Sequence, residues 1–285
     1  MVAGGASLVL RETLSIFGMA TQLQITVLGS GTSVGVPTIG CSCAVCRSDD
    51  PRDKRLRPSI LVTFSDNGQD RNVLIDTTPD LRQQALNAGM KRLDAVLYTH
   101  AHADHIMGLD DLRPFNYGRP ERIPIYGMPE TLRDLRRIFR YAFEGEGRHP
   151  GGVPRVEAHE LNGNDLNLFG MRFEPIPIKH GPLTVMGYRF GNAAYLTDHS
   201  DIPEESLAKL RGLDVLFLDA LRHEPHPMHT SVDQALAWVD RLQPKRAFFT
   251  HICHDLPHRE TNESLPQNVQ LAHDGLLLEV ARSDS

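Results

Sequence analysis

The chain has 285 residues, of which 40% are hydrophobic and 23% are charged, and its formal net charge is −6. This composition is typical of a folded globular protein and argues against long disordered regions. The acidic balance argues against a broad basic surface for long nucleic acid, but it is compatible with a small phosphate-bearing substrate. No apolar run approaches the ~20 residues that a membrane span needs, so we expect no membrane association.

Residues 1–20 precede the first clear strand, and we expect them to be a disordered extension. The sequence leaves open whether translation starts at Met1 or at Met19. Arg11 and Glu12 interrupt the apolar stretch, and no lysine-rich start precedes it, which argues against a signal peptide. We therefore expect a cytoplasmic protein.

The first predicted strand, at 23–28, runs into a loop rich in Gly, Ser and Thr, and a cysteine motif follows that loop. Cys41, Cys43 and Cys46 form the pattern Cys-x-Cys-x-x-Cys. Spacing this close is awkward for disulfides within the motif, and a cytosolic chain rarely keeps disulfides. The motif therefore predicts a metal site, which needs a fourth ligand to become tetrahedral.

Apolar runs and apolar periodicity predict the remaining strands and helices. The predicted strands cover residues 59–64, 73–76, 94–98, 171–178, 184–190, 193–197, 214–219 and 246–250. The predicted helices cover residues 130–143, 203–211 and 231–242, the last capped by Thr230 or Ser231. Each half of the chain is rich in strands and then alternates strands with helices, and no linker divides the halves. We predict one α/β layered domain over residues 21–285.

Residues that suit metal ions follow several of these strands directly. The stretch THAHADH, residues 99–105, comes after the strand at 94–98 and holds three imidazoles and one carboxylate. Four more candidates stand at the ends of later strands: His180, Asp198, Asp219 and His251. The strand ends of layered α/β folds converge on one crevice, so these side chains can meet in space. Imidazole nitrogens and carboxylate oxygens suit zinc, manganese or iron, and one carboxylate can bridge two ions.

THAHADH matches the His-x-His-x-Asp-His motif of the metallo-β-lactamase superfamily, and the resemblance covers roughly residues 23–280. It implies a four-layer αβ/βα sandwich with two divalent metal ions, manganese or zinc, at one edge. The ligands it implies for one ion are His100, His102 and His180. The ligands it implies for the other are Asp104, His105 and His251. Asp198 would bridge the two ions, and Asp76 would support the site without being a ligand.

The cysteine motif narrows the resemblance to one branch of the superfamily. With its Gly-rich loop, it resembles the cyclic phosphodiesterases of the bacterial carbon–phosphorus lyase pathway. In those enzymes the loop binds a structural zinc, completed by a histidine three residues after the last active-site histidine. That position is His254 here, and we expect His254 as the fourth ligand, with Cys253 as the alternative.

A second local feature lies in HEPHPMHTS, residues 223–231. Phosphodiesterase branches of the superfamily, including the transfer-RNA 3′-processing ribonucleases, place a histidine here near the leaving group. We assign this position to His229 because it lies just before the helix that starts near Ser231. His223 and His226 are the less favoured candidates. Histidine titrates near neutral pH, which suits a general acid.

The chain also departs from the family pattern. An arginine-rich insertion at about 117–157 separates the metal motif from the next strand. Its arginines either contact an anionic substrate or form the solvent-exposed face of an amphipathic helix. No extended arm of the kind that grips transfer RNA is evident, which weakens the ribonuclease interpretation.

The resemblance implies a metal-dependent phosphodiesterase for a small, cyclic or open, phosphodiester or nucleotide. A hydroxide held between the two ions would attack phosphorus, Asp104 would orient it, and His229 would protonate the leaving oxygen. The alternatives are a thioesterase or lactonase of the glyoxalase II type, a transfer-RNA 3′-processing ribonuclease, and a metal-dependent binding module. From the resemblance we also expect a homodimer.

Overall fold

The computed structural model describes residues 22–144 and 152–282. The predicted extension at 1–20 lies outside these residues, and the single domain predicted from residue 21 onwards stays a prediction. The strands are β1 (Gln22–Gly29), β2 (Ser59–Asp66), β3 (Gln69–Ile75), β4 (Ala95–Leu97), β5 (Ile123–Gly127), β6 (Val156–Glu160), β7 (Leu166–Leu168), β8 (Met171–His180), β9 (Leu183–Phe190), β10 (Ala193–Leu196), β11 (Val215–Asp219), β12 (Arg246–Thr250), β13 (Val269–Leu271) and β14 (Leu277–Ala281). The α-helices are α1 (Leu81–Asn87), α2 (Ala103–Ile106), α3 (Pro129–Ile138), α4 (Arg140–Phe143), α5 (Glu204–Leu207), α6 (Val232–Leu242) and α7 (His258–Ser264).

The strands form two seven-stranded sheets of similar construction. The first has the order β14-β1-β2-β3-β4-β5-β6, and the second has the order β13-β12-β11-β10-β9-β8-β7. In each sheet one part is antiparallel and the other is parallel, with helices in the crossovers between the parallel strands. THAHADH, Asp198 and His251 follow strands of the parallel parts, whereas His180 ends the antiparallel strand β8.

Period-two patterning explains why the sheets pack face to face. In β1 the alternate residues Leu23, Ile25 and Val27 are buried, and they belong to a core shared with residues of the second sheet such as Phe173 and Phe217. Alternate side chains of a strand point to opposite faces, so each sheet also has a second apolar face. Helices cover that second face on each sheet.

The helices form the outer two layers. Leu132 and Leu135 of α3 pack against the outer face of the first sheet. Val232 and Val239 of α6 pack against the outer face of the second sheet. The layers therefore follow the order helix, sheet, sheet, helix, which confirms the predicted αβ/βα sandwich.

The capping of α6 explains where that helix begins. The Ser231 side chain accepts a hydrogen bond from the Gln234 backbone N–H, and the Gln234 side chain accepts one from the Ser231 N–H. This reciprocal capping box satisfies two N–H groups that the first turn leaves free. Of the two predicted caps, Ser231 is the one used.

The helix predicted over residues 130–143 is wrong in one respect, because it is interrupted at Phe139. Phe139 has φ −104° and ψ 40°, which ends α3 and separates it from α4. Residues 117–157 contain β5, α3 and α4 and reach the start of β6, and their status as an insertion stays a prediction. Arg136 and Arg137 are exposed and pair with Glu160 and Asp134, which favours the interpretation as a solvent-exposed helix face.

Candidate metal centre

The THAHADH motif forms the turn between β4 and α2. His100 is buried at its start, His102 is exposed and precedes α2, and Asp104 and His105 lie buried within α2. The chain enters this single turn of helix after His102, and the turn brings Asp104 and His105 close to His100. The rings of His100 and His102 lie 4.5 Å apart, and those of His100 and His105 lie 4.2 Å apart.

Three further candidates arrive from the second sheet. His180 ends β8, Asp198 follows β10, and His251 follows β12. Asp198 and His251 have positive φ values of 55° and 57°, which are unfavourable for residues with a Cβ. Residues held in this region of backbone space cluster at functional sites, where the surrounding structure maintains them.

The structure brings all seven predicted active-site ligands together in two overlapping groups. One group contains His100, His102, His180 and Asp198. The other contains Asp104, His105, Asp198 and His251. Within each group, one ligand atom from each residue lies within 4.8 Å of the others, and Asp198 belongs to both groups. This is the division into two ion sites with a shared aspartate that the resemblance implies.

Asp198 occupies the centre of the arrangement. Its Oδ1 lies 3.2 Å from Nε2 of His105, and its Oδ2 lies 3.4 Å from Nε2 of His251 and 3.8 Å from Nε2 of His100. Asp104 Oδ2 lies 3.2 Å from Nε2 of His105. The Nε2 atoms of these histidines thus face the same carboxylates.

The opposite ring nitrogens fix the orientation of the histidines. Nδ1 of His105 lies 2.7 Å from Asp76 Oδ2, and Nδ1 of His180 lies 2.8 Å from the Met228 carbonyl oxygen, so both nitrogens donate. The Thr99 hydroxyl donates to Asp76 and therefore accepts from Nδ1 of His100. With the hydrogen on Nδ1, the Nε2 lone pair of each ring is available to a metal ion.

The buried carboxylates of Asp104 and Asp198 favour positive charge beside them. Burial alone would raise the pKa of Asp198, but His251 and His105 hold it well below its ordinary value. Burial alone would lower the pKa of His251, but Asp198 and Asp104 raise it to about 9. Burial and the neighbouring His105 lower the pKa of His100, which keeps that ring neutral. A cluster that holds protons this firmly also favours divalent cations at the same position.

Unpartnered polar atoms provide a direct test of whether metal ions fit. Among the described residues, the buried atoms without a hydrogen-bond partner include Nε2 of His100, His105 and His251 and Oδ2 of Asp104. Burying such atoms without a partner costs free energy, and native proteins seldom leave them unpaired. These four atoms all belong to the predicted ligand residues, so the donor set fits divalent metal ions.

A separate cluster joins the cysteine motif to the C-terminal part of the chain. Nδ1 of His254 lies 3.2 Å from the sulfur of Cys41, 3.6 Å from that of Cys43 and 3.4 Å from that of Cys46. Zinc–ligand bonds of ordinary length in a tetrahedron place sulfur and nitrogen about 3.5 Å apart, so the spacing fits zinc. The sulfur of Cys253 instead contacts Asp255, and burial raises the pKa of the Cys253 thiol to about 12. The geometry therefore favours His254 over Cys253.

His229 lies beside the two ion groups and is held by Asp219. Its Nδ1 is 2.6 Å from Asp219 Oδ2, and its ring is 4.5 Å from the His251 ring and 4.8 Å from the His180 ring. Asp219 is fully buried, and its Oδ2 also accepts the backbone N–H of His199. The arrangement leaves Nε2 of His229 as the nitrogen available to a substrate.

Sequence reasoning missed part of this framework. It noted Asp219 at a strand end without giving it a role, and it did not find Thr99 or the Met228 carbonyl. Asp219 ends the buried strand β11 and Asp198 comes two residues after the end of β10, so both share a strand-end position that the sequence does reveal. The contact of His180 with Met228 depends on the path of a loop, so no residue-type pattern could reveal it.

Comparisons with known proteins agree with the fold and the site. Residues 71–252 match the family model of the β-lactamase superfamily domain. The chain is similar to the crystal structure of a diphosphatase from the PhnP family, with 53% sequence identity and a TM-score of 0.85 over 92% of this chain and 98% of that one.

Two curated proteins are also similar to this chain. An octanoyltransferase of Porphyromonas gingivalis is 39% identical over 257 residues, which are 89% of this chain and 51% of that protein. A ribonuclease Z of Bradyrhizobium diazoefficiens is 30% identical over 148 residues, which are 50% of this chain and 47% of that protein. The matched part of the chain thus spans about half the length of these curated relatives.

The fold and the two ion groups fit a protein that holds divalent metal ions. The chain belongs to the metallo-β-lactamase superfamily and, within it, resembles the PhnP family. Among the helices of the described residues, none has the length and apolar character that crossing a membrane requires.

Proposed function

We propose that this chain is a metal-dependent phosphodiesterase that acts on a small phosphodiester, including the diester of a diphosphate. The observation that carries the proposal is the Asp219–His229 pair beside the two ion groups. The thiolate of a thioester can depart without a proton, whereas the alkoxide of a phosphodiester needs one, so a proton donor at this position favours a phosphodiester over a thioester.

Two divalent ions, manganese or zinc, would be held by the residues of the two groups described above. When bound, such ions lower the pKa of water and offset the negative charge on the phosphate. The buried supports of the ligands, Asp76, Thr99 and the Met228 carbonyl, keep the Nε2 lone pairs directed inward. Supporting contacts of this kind tune ligand basicity and geometry.

His229 would act as the general acid. Asp219 accepts the hydrogen on Nδ1 and orients the ring, so Nε2 can donate its hydrogen to the leaving oxygen as the P–O bond breaks. A positioned proton donor of this kind typically contributes 10²–10⁴-fold to the rate. His229 is only partly buried, so its outer edge remains accessible to a substrate.

A small substrate is supported by the charge of the chain and by its relatives. A net charge of −6 disfavours the broad electrostatic contact that long nucleic acid uses. The similar PhnP-family structure is that of a diphosphatase, which supports a diphosphate bond among the substrates. The ribonuclease Z of Bradyrhizobium diazoefficiens is 30% identical to this chain, against 53% for the diphosphatase, so RNA processing is the weaker candidate. The homodimer expected from the resemblance remains part of the proposal.

The proposal is tested by His229→Ala, assayed after loading with manganese or zinc on a 2′,3′-cyclic nucleotide, whose leaving oxygen is a sugar alkoxide that needs a proton. We expect kcat to fall by about 10²- to 10⁴-fold because the leaving oxygen loses its proton donor. Metal content should stay at the wild-type value. His223→Ala is the matched control, since His223 is an exposed residue of the same loop. Undiminished turnover in His229→Ala would refute the assigned role.

The same preparation distinguishes the alternative functions. Wild-type protein is assayed in parallel against a phosphodiester, a thioester, a lactone and a transfer-RNA precursor. Hydrolysis of the thioester or lactone alone would replace the proposal with a glyoxalase II-type activity. Cleavage of the precursor alone would favour the ribonuclease, and ligand binding with no turnover on any substrate would favour a binding module.

A further inference from the structure

The loop between β11 and α6 holds a second ordered imidazole beside the proposed general acid. His226 is half-buried, and its ring centroid lies 5.2 Å from that of His229. Among the described residues, its ring contacts another aromatic or imidazole ring only at His229. The proposed acid chemistry makes no use of His226.

One hydrogen bond determines which nitrogen of His226 carries the hydrogen. The Met228 backbone N–H donates to Nδ1 of His226 over 3.2 Å. A nitrogen that accepts this bond cannot also be protonated, so the ring is neutral and its hydrogen is on Nε2. Nε2 of His226 is therefore a fixed donor, and Nδ1 is a fixed acceptor.

Met228 also fixes the position of His226 relative to the ion groups. Its carbonyl oxygen accepts from Nδ1 of His180, one of the proposed ligands, while its N–H binds His226. Its side chain packs so closely on Gly181 that an added Cβ there would lie 2.3 Å from the Met228 sulfur. A single residue thus joins the ligand, the hairpin that carries it and the outer imidazole.

The order of the rings indicates what His226 can contact. His229 lies against His180 and His251, so the leaving oxygen that it protonates must lie near its Nε2. His226 contacts His229 but neither of those ligand rings, which places it further from the ions. A leaving group that extends past His229, away from the ions, would therefore reach the His226 ring.

We propose that His226 binds the leaving group through Nε2–H and that this leaving group carries a second phosphoryl unit. An alcohol or aryl leaving group has carbon next to the bridging oxygen, whereas a phosphoryl leaving group presents anionic oxygens there. The neighbouring Arg222 adds positive charge to the loop, and its guanidinium donates to the carbonyls of Glu224 and Pro225. The inference rests on the proposed function and defines the substrate of the same site.

His226 also has a structural contact, because its Nδ1 accepts the Met228 N–H. Two variants distinguish this contact from the proposed contact of Nε2 with the substrate. In His226→Asn the side-chain oxygen replaces Nδ1 as the acceptor, but the amide is too short to replace the Nε2 donor. In His226→Gln the amide hydrogen is near the Nε2 position, but the acceptor for the Met228 N–H is displaced. The two variants therefore separate the turn from the donor.

The experiment measures KM and kcat of the metal-loaded full chain with a dinucleoside diphosphate and with bis(p-nitrophenyl) phosphate. For the diphosphate, we expect His226→Asn to raise KM about tenfold, the effect of losing one hydrogen bond to a charged group. Its kcat should change little, and His226→Gln should recover most of the affinity. With bis(p-nitrophenyl) phosphate both variants should resemble wild type, and His223→Asn is the matched control on both substrates.

Each contrary result has a distinct meaning. Wild-type KM for the diphosphate in His226→Asn, or equal losses on both substrates, would overturn the inference and leave the phosphodiesterase proposal intact. Wild-type hydrolysis of bis(p-nitrophenyl) phosphate without hydrolysis of the diphosphate would also overturn only the inference. A wild-type protein that hydrolyses neither substrate would overturn the proposed function, and the inference with it.

Discussion

Asp76 shows how much of the site depends on a residue that is not itself a proposed ligand. It is completely buried, has φ 65°, and accepts hydrogen bonds from the Thr99 N–H, the Thr99 hydroxyl and Nδ1 of His105. Through Thr99 it also determines the orientation of His100. One carboxylate therefore orients two proposed ligands, one from each ion group.

This network makes a prediction about metal affinity. Asp76→Asn replaces the acceptor of the His105 hydrogen with an amide, so His105 loses its fixed orientation and part of its basicity. We expect metal affinity to fall by about 10- to 100-fold, as measured by competition with a chromophoric chelator. Asp70→Asn, an exposed residue of the same strand, is the control. Unchanged affinity in a folded Asp76→Asn protein would contradict the role given to this network.

At the scale of elements, the segment that follows β12 is held from two sides. On one side the Gly-rich loop after β1 pairs with it, since the Ile252 N–H donates to Ser30 and the Thr32 N–H donates to Ile252. On the other side the buried guanidinium of Arg55 donates to the carbonyls of Cys253 and Leu256 and pairs with Asp53. This segment carries His251 of the second ion group and His254 of the cysteine cluster, so its position affects both sites.

Arg55 therefore provides a prediction about stability. Arg55→Met removes the cation beside the Asp53 carboxylate and the donor to two backbone carbonyls. Breaking a buried ion pair in this way typically costs about 3–5 kcal/mol. We expect a loss of this size in the free energy of unfolding, measured by urea denaturation. Arg52→Met is the control, because the Arg52–Asp50 pair is partly exposed and such pairs are worth about 0–1 kcal/mol. Equal losses in the two variants would contradict the argument.

The elements differ in how far the sequence predicts them. The sequence predicts β11 and β12 to within one residue. Both strands are buried on both faces, so their residues form a continuous apolar run. The short edge strands β7 and β13, with three residues each, were missed because three residues do not establish a period. Arg55 was missed as well, since a buried arginine is recognisable only from the carbonyls that surround it.

At the scale of the whole molecule, the cysteine cluster connects parts of the chain that are more than 200 residues apart in sequence. Cys43→Ser should bind one metal ion fewer per chain than wild type and should have a lower unfolding temperature, because the connection no longer restricts the unfolded chain. Elemental analysis and thermal denaturation measure the two effects. Cys253→Ser is the control and should keep the wild-type metal content, since Cys253 contacts Asp255 instead. An unchanged metal count in Cys43→Ser would contradict the structural zinc site.

The overall architecture was predictable because the ligand motifs and the strand pattern agree with each other. Both place metal-binding side chains at strand ends, and the confirmed sandwich brings those ends together. The orientation of each imidazole was not predictable, because it depends on Nδ1 contacts with Asp76, Thr99 and the Met228 carbonyl across the fold. Such contacts join strand ends and loops that are distant in sequence within each sheet, which no local pattern encodes.

The division of the ligands between the sheets has a consequence for biosynthesis. His100, His102, Asp104 and His105 follow a strand of the first sheet, whereas His180, Asp198 and His251 follow strands of the second. A growing polypeptide cannot complete the first ion group until β10 has left the ribosome and docked, and it cannot complete the second until β12 has done so. Metal ions would then bind both groups only after the chain has folded completely. Because a ligand that binds only the native state stabilises it by mass action, bound metal would stabilise only the completed fold.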